Sequence, residues 1–246
     1  MSDAAAPRVA VVTGASRGIG LATALRFARE GWLVATASRE PPPPGLGAAH
    51  LLHVAADLSL PGDCARAAEE ILAGLVGRAL GALVNNAGTS PKSGHRERLG
   101  LLHSTPAQWR EVFELNFHAP VALSRGLAPA LAAGQGAIVN VTSIAGHSVH
   151  PFAGSAYAAS KSALSGLTRE MAAELAPLGI RVNAVAPGEI ATGMISRDYD
   201  PLVARIPMRR MGSAEEVASV VFRLCGEDFA YVTGSEVFVT GGQHLF

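Results

Sequence analysis

The segment Thr13-Gly14-Ala15-Ser16-Arg17-Gly18-Ile19-Gly20 is a glycine-rich turn between two regular elements. It follows a β-branched run, Arg8–Thr13, and precedes a stretch with helical spacing of apolar residues, Ile19–Glu30. Glycine lets the backbone approach a ligand closely, and the first turn of a helix offers unpaired N–H groups to a phosphate. The order strand, glycine loop, helix therefore predicts dinucleotide binding rather than a plain tight turn. The GxxxGxG spacing differs from the more common GxGxxG.

Strands and helices alternate along the rest of the chain. This alternation predicts an α/β fold, a Rossmann-type three-layer sandwich with an about seven-stranded parallel sheet and helices on both faces. Residues 1–7 are expected to form a flexible tail, and residues 8–246 a single dinucleotide-binding and catalytic domain. The further predicted strands are Trp32–Ala37, His50–Ala55, Gly81–Asn85, Ile138–Thr142, Arg181–Val185 and Glu236–Val239, and the further helices are Ala65–Leu75, Pro106–Ala133 and Tyr157–Ala176.

The composition excludes several classes of protein. The 246 residues are 49% hydrophobic and carry no formal net charge, so no overall field favours nucleic acid or an anionic membrane. Cys64 and Cys225 make neither a disulfide framework nor a metal motif, and we expect two buried, reduced thiols and no metal site. The beginning of the chain does not resemble a signal peptide, and no long apolar run predicts a membrane span. A cytoplasmic location is the expectation.

The glycine loop TGASRGIG resembles that of the short-chain dehydrogenase/reductase family, in its compact one-domain branch. The resemblance covers nearly the whole chain from about Arg8. Within the family, the motif set is similar to that of 3-oxoacyl-carrier-protein reductase-like oxidoreductases. It implies hydride transfer between a nicotinamide cofactor and a carbonyl or alcohol carbon. The further motifs are Asp57-Leu58, Asn85-Asn86-Ala87-Gly88, Asn116, Ser143, Tyr157-x-x-x-Lys161, Pro187-Gly188, Val232-Thr233-Gly234 and Gly241-Gly242.

The end of the second predicted strand indicates which nicotinamide cofactor is bound. Sites that prefer NAD hold the ribose hydroxyls with an acidic side chain there, whereas this chain has Ala37-Ser38-Arg39. The guanidinium of Arg39 suits a phosphate, and Arg17 could contact the same group. We therefore expect NADP(H) to be preferred over NAD(H); the alternative is that Arg39 is a solvated loop residue.

The glycine loop and the family resemblance together assign a cofactor-binding set. The resemblance implies that Asp57 receives the adenine amino group, that Ala87 and Gly88 lie against the adenosine ribose, and that Ile190 and Thr192 touch the nicotinamide carboxamide. Asn86 is expected to be more structural than functional. The full set is Gly14, Ser16, Arg17, Gly18, Ile19, Gly20, Ser38, Arg39, Asp57, Leu58, Asn86, Ala87, Gly88, Tyr157, Lys161, Pro187, Gly188, Ile190 and Thr192.

Four polar residues form the predicted catalytic set. Tyr157 and Lys161 are four positions apart on a predicted helix and so share one face. A free tyrosine titrates near pH ~10, and a neighbouring ammonium is expected to lower that pKa. Ser143 follows the fifth strand and can hydrogen-bond the substrate oxygen. The resemblance implies that Asn116 holds a water beside the lysine.

Three loops are expected to determine specificity: 90–104, 147–155 and 193–210. The last is predicted to be an irregular lid, with a solvated basic face formed by Arg197, Arg205, Arg209 and Arg210; the alternative is that these arginines form a site for an acidic substrate. His147 and His150 are expected to be solvated loop residues, with contact to the substrate as the alternative. A modest, mostly uncharged substrate is expected.

Two features depart from the family pattern. Four prolines, Pro41–Pro44, stand where relatives often have a helix. Gly134 and Leu178 stand where carrier-protein reductases often have basic residues, which weakens that assignment.

The sequence leaves three functions open. The leading hypothesis is an NADP-dependent ketone or aldehyde reductase. The second is an alcohol, sugar or polyol dehydrogenase that works in the oxidative direction. The third is an NADP-binding sensor or scaffold without turnover, although such proteins usually lack the tyrosine or the lysine. A small-molecule substrate and a homotetramer, or else a dimer, are the expected partners; the substrate itself does not follow from the residues.

Overall fold

The computed structural model describes residues 7–92, 98–191 and 200–245. Within those ranges the strands are β1 (Val9–Thr13), β2 (Leu33–Ser38), β3 (His50–Ala55), β4 (Leu80–Asn85), β5 (Ala137–Val141), β6 (Arg181–Pro187), β7 (Ile190–Ala191), β8 (Gly212–Ser213) and β9 (Glu236–Val239). The α-helices are α1 (Gly18–Arg29), α2 (Pro61–Leu75), α3 (Pro106–Phe113), α4 (Ala119–Ala133), α5 (Ser155–Leu175), α6 (Asp200–Val203) and α7 (Ala214–Cys225).

Seven of these strands form one parallel sheet in the order β3-β2-β1-β4-β5-β6-β9. The predicted Rossmann-type fold is confirmed. The strand order reverses between β1 and β4, which is where such sheets bind their ligands. The short strands β7 and β8 pair with each other outside this sheet, through Ile190 with Gly212 and Ala191 with Ser213.

The sheet is covered on both faces, and its central strands β1, β4 and β5 are buried at every position. In β1, Val9 and Val11 belong to the core on the side of α2, α4 and α5, while Ala10 and Val12 belong to the core on the side of α1 and α7. A strand buried on both faces needs such a continuous apolar run.

An aromatic cluster joins α1, β2 and α7 on the second of these faces. Phe27 contacts Trp32 and Phe222 edge to face, with ring centroids 5.0 and 5.2 Å apart. This geometry is favourable for the ring quadrupoles. The packing fixes α1, and with it the glycine loop, against α7.

The structure differs from the sequence predictions at several helices. A π-helical turn, Glu114–His118, separates α3 from α4 inside the predicted helix Pro106–Ala133. The helix α7 was not predicted, and α6 lies in a segment that was expected to be irregular. Between β2 and β3 only a 3-10 turn, Gly47–Ala49, is present, in agreement with the expected loss of a helix there.

Other expectations fall partly outside the described residues. They concern residues 1–6 of the predicted tail, 93–97 of the first specificity loop, and 192–199, which contain Thr192 and Arg197. The boundaries of the predicted single domain therefore stay a prediction.

Cys64 and Cys225 are buried free thiols, and burial raises their pKa values to about 11 and about 12. In the described ranges, no three or more His, Cys, Asp or Glu side chains are grouped so that they could hold a metal ion. No helix there is long and apolar enough to cross a membrane.

Candidate active site

The glycine loop packs so closely on itself and on the end of β4 that two of its positions leave no room for a side chain. Gly14 has a φ of +65°, and its N–H donates to the carbonyl of Ala37 at 2.9 Å. A Cβ atom on Gly20 would collide with the carbonyl oxygen of Gly14 and with the Asn86 amide. The N-cap of α1, Arg17, makes no side-chain capping bond. The first N–H groups of α1 are thus available to an anion such as a diphosphate.

Asn86 and Thr13 tie the end of β4 to this loop. The Asn86 amide nitrogen donates to the carbonyls of Thr13 (2.9 Å) and Gly14 (3.2 Å). The Thr13 hydroxyl oxygen accepts from the backbone N–H groups of Asn86 and Ala87, both at 3.0 Å. These bonds fit the structural role expected of Asn86.

A cavity of about 260 Å³ lies beside the loop at the ends of β2 and β3. The Asp57 carboxylate accepts from the hydroxyl and the N–H of Ser59, and these bonds, together with the charge of Arg39, hold the pKa of Asp57 below its ordinary value. The Ser38 hydroxyl donates to the carbonyl of Glu40 at 2.7 Å, so in this arrangement it can only accept a hydrogen bond from a ligand. The predicted cofactor residues in the lining are Ser16, Arg17, Ser38, Arg39, Asp57, Leu58, Ala87 and Gly88. Thr89, Glu111 and Leu115 also line it and were not predicted.

A second cavity, of about 430 Å³, adjoins the first at Gly88 and Thr89 and contains three of the four predicted catalytic residues. Ser143, Tyr157 and Lys161 line it together with Ile19, Pro187, Gly188 and Ile190. Lys161 is 3% exposed, and its ammonium donates to the carbonyl of Val141 at 2.6 Å. Burial lowers the pKa of Lys161 to about 8.

Tyr157 lies next to Lys161, with the lysine Nζ 5.8 Å from the centre of its ring. Burial raises the pKa of Tyr157, a hydrogen bond with Ser143 lowers it, and the charge of Glu189 raises it again. The net shift is upward, so the expected lowering of this pKa is wrong. The physical reason is that burial disfavours the phenolate more than the contact with Ser143 favours it.

Asn116 lies in the π-helical turn and is completely buried. Its amide nitrogen donates to the carbonyl of Thr89 and to the Ser160 hydroxyl, both at 3.0 Å, and its oxygen accepts from the Thr89 N–H at 2.8 Å. A Cβ on Gly88 would lie 3.3 Å from this oxygen and 3.5 Å from the Lys161 Nζ, so both groups face the same glycine. The proposed water relay through Asn116 stays a prediction.

A third cavity, of about 190 Å³, continues the cleft beyond Tyr157. It shares Ser90, Ser143, Tyr157, Gly188 and Glu189 with the second cavity. Its remaining lining residues are Lys92, Ile144, Ala145, His150, Phe152 and Ala153. The three cavities therefore form one continuous cleft along the carboxyl ends of the strands.

The third cavity holds a hydrogen-bonded histidine–glutamate pair that sequence reasoning missed. His150 Nε2 lies 2.5 Å from Glu189 Oε1, and the two side chains are only 11% and 13% exposed. The expectation that His150 is solvated is therefore wrong, because the loop between β5 and α5 packs it against Glu189, which directly precedes β7. His147 is exposed, as expected, although it also contacts Glu236 at 3.1 Å. The sequence did offer a signal for Glu189: it is a charged residue directly after Pro187-Gly188, at the end of a strand, where ligand contacts are common in such sheets.

The basic residues of the predicted lid lie on the surface where they are described. Arg205, Arg209 and Arg210 are exposed, and Arg210 pairs with Glu216 at 2.6 Å. These positions fit the expected solvated face.

Comparison with protein families gives one match that spans most of the chain. The family model described as enoyl-(acyl carrier protein) reductase matches residues 14–244. The matched range contains the glycine loop and all three cavities.

Curated relatives and solved structures agree with this match. Protein FixR of Bradyrhizobium diazoefficiens is 50% identical over 99% of this chain and 89% of its own length. Dehydrogenase/reductase SDR family member 4 of Oryctolagus cuniculus is 36% identical over 98% of this chain and 95% of its own. A short-chain dehydrogenase/reductase family oxidoreductase from Brucella ovis, solved with a partially ordered NAD, is 46% identical with a TM-score of 0.81, covering 96% of this chain and all of that one.

Proposed function

The chain belongs to the short-chain dehydrogenase/reductase family, and on that premise we propose that it is an NADP(H)-dependent oxidoreductase that interconverts a carbonyl and a secondary alcohol. The observation that carries the proposal is the position of Ser143, Tyr157 and Lys161 in one cavity of the cleft. That cavity opens on one side to the glycine loop region and on the other to space for a substrate.

The residues of the cleft fit a nicotinamide dinucleotide. The uncapped start of α1 suits a diphosphate, and the cavity at Asp57 and Arg39 suits an adenosine. Lys161 and Ile190 lie where the other half of the molecule would extend. When bound, the nicotinamide supplies or accepts the hydride.

The chain's own part in the reaction is proton transfer at the substrate oxygen. In the reducing direction the Tyr157 hydroxyl donates a proton to that oxygen, while the Ser143 hydroxyl hydrogen-bonds it. The raised pKa of Tyr157 keeps the phenol protonated and ready to donate. Lys161, with a pKa of about 8, can favour the phenolate that remains and return a proton to it. Asn116 holds Thr89 and Ser160 beside this set.

The preference for NADP(H) rests on two guanidinium groups. Arg17 and Arg39 both line the cavity at the end of β2, together with Ser16 and Ser38. An arginine at that place suits a ribose phosphate, and no acidic side chain precedes Glu40 in the segment after β2. The Brucella ovis relative was solved with NAD, so NAD(H) is the alternative cofactor that an experiment must include.

The test is loss of nicotinamide absorbance with NADPH and, separately, NADH across a panel of ketones, diketones, aldehydes and 3-oxoacyl thioester analogues. We expect turnover with NADPH, and a decrease of at least about 10²-fold in kcat for Tyr157→Phe, because proton donation contributes roughly 10²–10⁴-fold. The variant should bind NADPH as the wild type does, because it keeps the ring and loses only the hydroxyl.

Turnover retained in Tyr157→Phe would contradict the catalytic assignment. Tight NADPH binding without turnover, in either direction, would favour the alternative of a sensor or scaffold. Oxidation of alcohols alone, at rates far above any reduction, would favour the dehydrogenase alternative.

We also propose that the partners are a small-molecule carbonyl or alcohol and further copies of this chain, as a tetramer or else a dimer. Support comes from the family and from the apolar helices α4 and α5. The mass of a single chain in light scattering would contradict this assembly.

A further inference from the structure

The third cavity, which we call the outer cavity, is small for a substrate-binding space, and about half of its lining is polar. Its volume of about 190 Å³ equals that of roughly six water molecules at liquid density. Lys92, His150 and Glu189 line it beside Ser143 and Tyr157. An apolar chain placed there would displace water from the Glu189 carboxylate, which has acceptor positions beyond its bond with His150, at a cost in free energy.

The hydrogen bonds of His150 fix its protonation. The backbone N–H of Phe152 donates to Nδ1 at 3.3 Å, so that nitrogen is an acceptor and the ring proton is on Nε2. Nε2 then donates to Glu189 Oε1 at 2.5 Å. His150 is thus a neutral imidazole that orients the Glu189 carboxylate, with both of its nitrogens engaged.

Glu189 keeps acceptor capacity after this bond. A carboxylate offers about four lone-pair positions, of which His150 uses one. The side chain is 13% exposed and lines both the outer cavity and the cavity of Tyr157. Its charge acts on Tyr157, which places the carboxylate within electrostatic reach of the proton donor. A hydrogen-bond donor on the substrate, close to the reacting carbon, is the group that this position can bind.

The charges of the outer cavity balance. The Lys92 ammonium donates to the carbonyl of Phe152, and the charge of Glu189 acts on it. One cation and one anion, with a neutral His150, leave no net charge among the described lining residues. Such a lining suits neutral hydroxyl groups, which both donate and accept, better than a carboxylate or an apolar chain.

We propose that Glu189, oriented by His150, is the specificity-determining residue and that the substrate is a small, neutral hydroxy-carbonyl compound or the corresponding polyol. The hydroxyl next to the reacting carbon donates to the Glu189 carboxylate while the carbonyl oxygen contacts Tyr157 and Ser143. This inference rests on the proposed function and assigns its substrate class.

The test compares three ketones that share one carbon skeleton, each at saturating NADPH and, in parallel, NADH. Propan-2-one, 1-hydroxypropan-2-one and pyruvate differ only in carrying a methyl, a hydroxymethyl or a carboxylate group beside the carbonyl. Cyclohexanone and 2-hydroxycyclohexanone form a second, larger pair. We expect kcat/KM to be at least about 100-fold higher for each hydroxy ketone than for its parent, since a site built to bind a hydroxyl discriminates strongly against its absence.

Two variants and one control assign this preference to residues. Glu189→Leu should reduce the hydroxy-to-parent ratio to below about tenfold, while Glu189→Gln, which keeps an acceptor, should give an intermediate ratio. His150→Ala should raise KM for the hydroxy ketone more than it lowers kcat, and His150→Asn, which keeps a donor, should recover part of the loss. Glu174→Leu, on the exposed surface of α5, should leave the ratio unchanged.

The outcomes separate the inference from the proposed function. Turnover of the parent ketones or of pyruvate at least as efficiently as the hydroxy ketones would overturn the inference and leave the oxidoreductase in place. A ratio unchanged in Glu189→Leu would also overturn it. Absence of turnover of every carbonyl and alcohol with either cofactor would overturn the proposed function, and the inference with it.

Discussion

Lys161 shows how burial tunes a single side chain in this protein. Its ammonium is 3% exposed and has one described hydrogen bond, to the carbonyl of Val141, so desolvation dominates and the pKa falls from 10.5 to about 8. A lysine with that pKa exchanges protons near neutral pH, which suits the role proposed for it beside Tyr157.

The same pKa predicts a pH-dependent contribution to stability. Between pH 8 and pH 10.5 the unfolded chain holds the Lys161 proton more tightly than the folded chain does, so raising the pH favours the folded protein. Relative to Lys161→Met, the wild-type free energy of unfolding should therefore increase across this window by up to about 3 kcal/mol. Urea unfolding of both proteins from pH 7.5 to pH 10 measures the difference, and a gap that is constant with pH would show that this pKa is not lowered.

At the residue scale the sequence predicted which side chains matter better than how they behave. The spacing of Tyr157 and Lys161 and the place of Ser143 after a strand were sufficient to bring these three residues together. The direction of the Tyr157 pKa was predicted wrongly because it depends on burial, which spacing does not reveal. The pair of His150 and Glu189 was missed for a related reason: the two residues are far apart in sequence and meet only when the loop after β5 folds against the end of β6.

Glu236, at the start of the edge strand β9, contacts both the loop that carries Ser143 and the helix α5. This side chain is 14% exposed; its carboxylate accepts from the hydroxyls of Thr142, at 2.5 Å, and Ser165, and lies 3.1 Å from His147 Nε2. Thr142 lies between the end of β5 and Ser143, and Ser165 lies on α5 one helical turn beyond Lys161. One carboxylate thus holds together the two elements that carry the catalytic residues.

Removal of this carboxylate should weaken both elements together. Glu236→Leu removes the carboxylate that accepts from two buried hydroxyls, of which Thr142 keeps a second acceptor in the carbonyl of Val185. We expect the free energy of unfolding to fall by about 2–4 kcal/mol, because hydrogen bonds to charged groups contribute roughly 1.5–3 kcal/mol each. Glu236→Gln, which keeps one acceptor oxygen, should lose less. The measurement is urea unfolding at pH 7, with Glu174→Leu, at an exposed position, as the control. Equal stability of Glu236→Leu and wild type would contradict the role of Glu236 in holding the loop after β5 and α5 together.

Element boundaries were predictable where local signals and tertiary packing agree. All seven strands of the sheet were expected. The apolar runs of β1, β4 and β5 match strands that are buried at every position, whereas the edge strands β3 and β9 are mostly half-buried. The helix α7 was overlooked although Ser213 and Glu216 form a capping box that the sequence displays. The π-helical turn at Asn116 had no such signal, since it depends on the bonds of that buried amide to Thr89 and Ser160.

At the scale of the whole molecule, the cleft follows from the topology. The carboxyl ends of β1, β2, β4, β5 and β6 lie along one edge, and each contributes the loop that lines one part of the cleft. A ligand that occupies the cavities at both Arg39 and Lys161 would bridge the two halves of the sheet. Because such a ligand binds only the folded chain, its affinity adds to global stability.

This coupling gives a test of cofactor choice that needs no substrate. We expect NADPH to raise the melting temperature more than NADH at equal concentration, because the guanidinium of Arg39 adds charge-assisted hydrogen bonds, about 1.5–3 kcal/mol, to the phosphorylated cofactor alone. For a chain of this size that difference corresponds to roughly 3–12 °C. In Arg39→Ala the advantage of NADPH should largely disappear while stabilisation by NADH remains, and Arg205→Ala, on the exposed surface, should behave as the wild type does. Equal shifts with both cofactors in the wild type would remove the assigned preference, yet would leave the dinucleotide site itself in place.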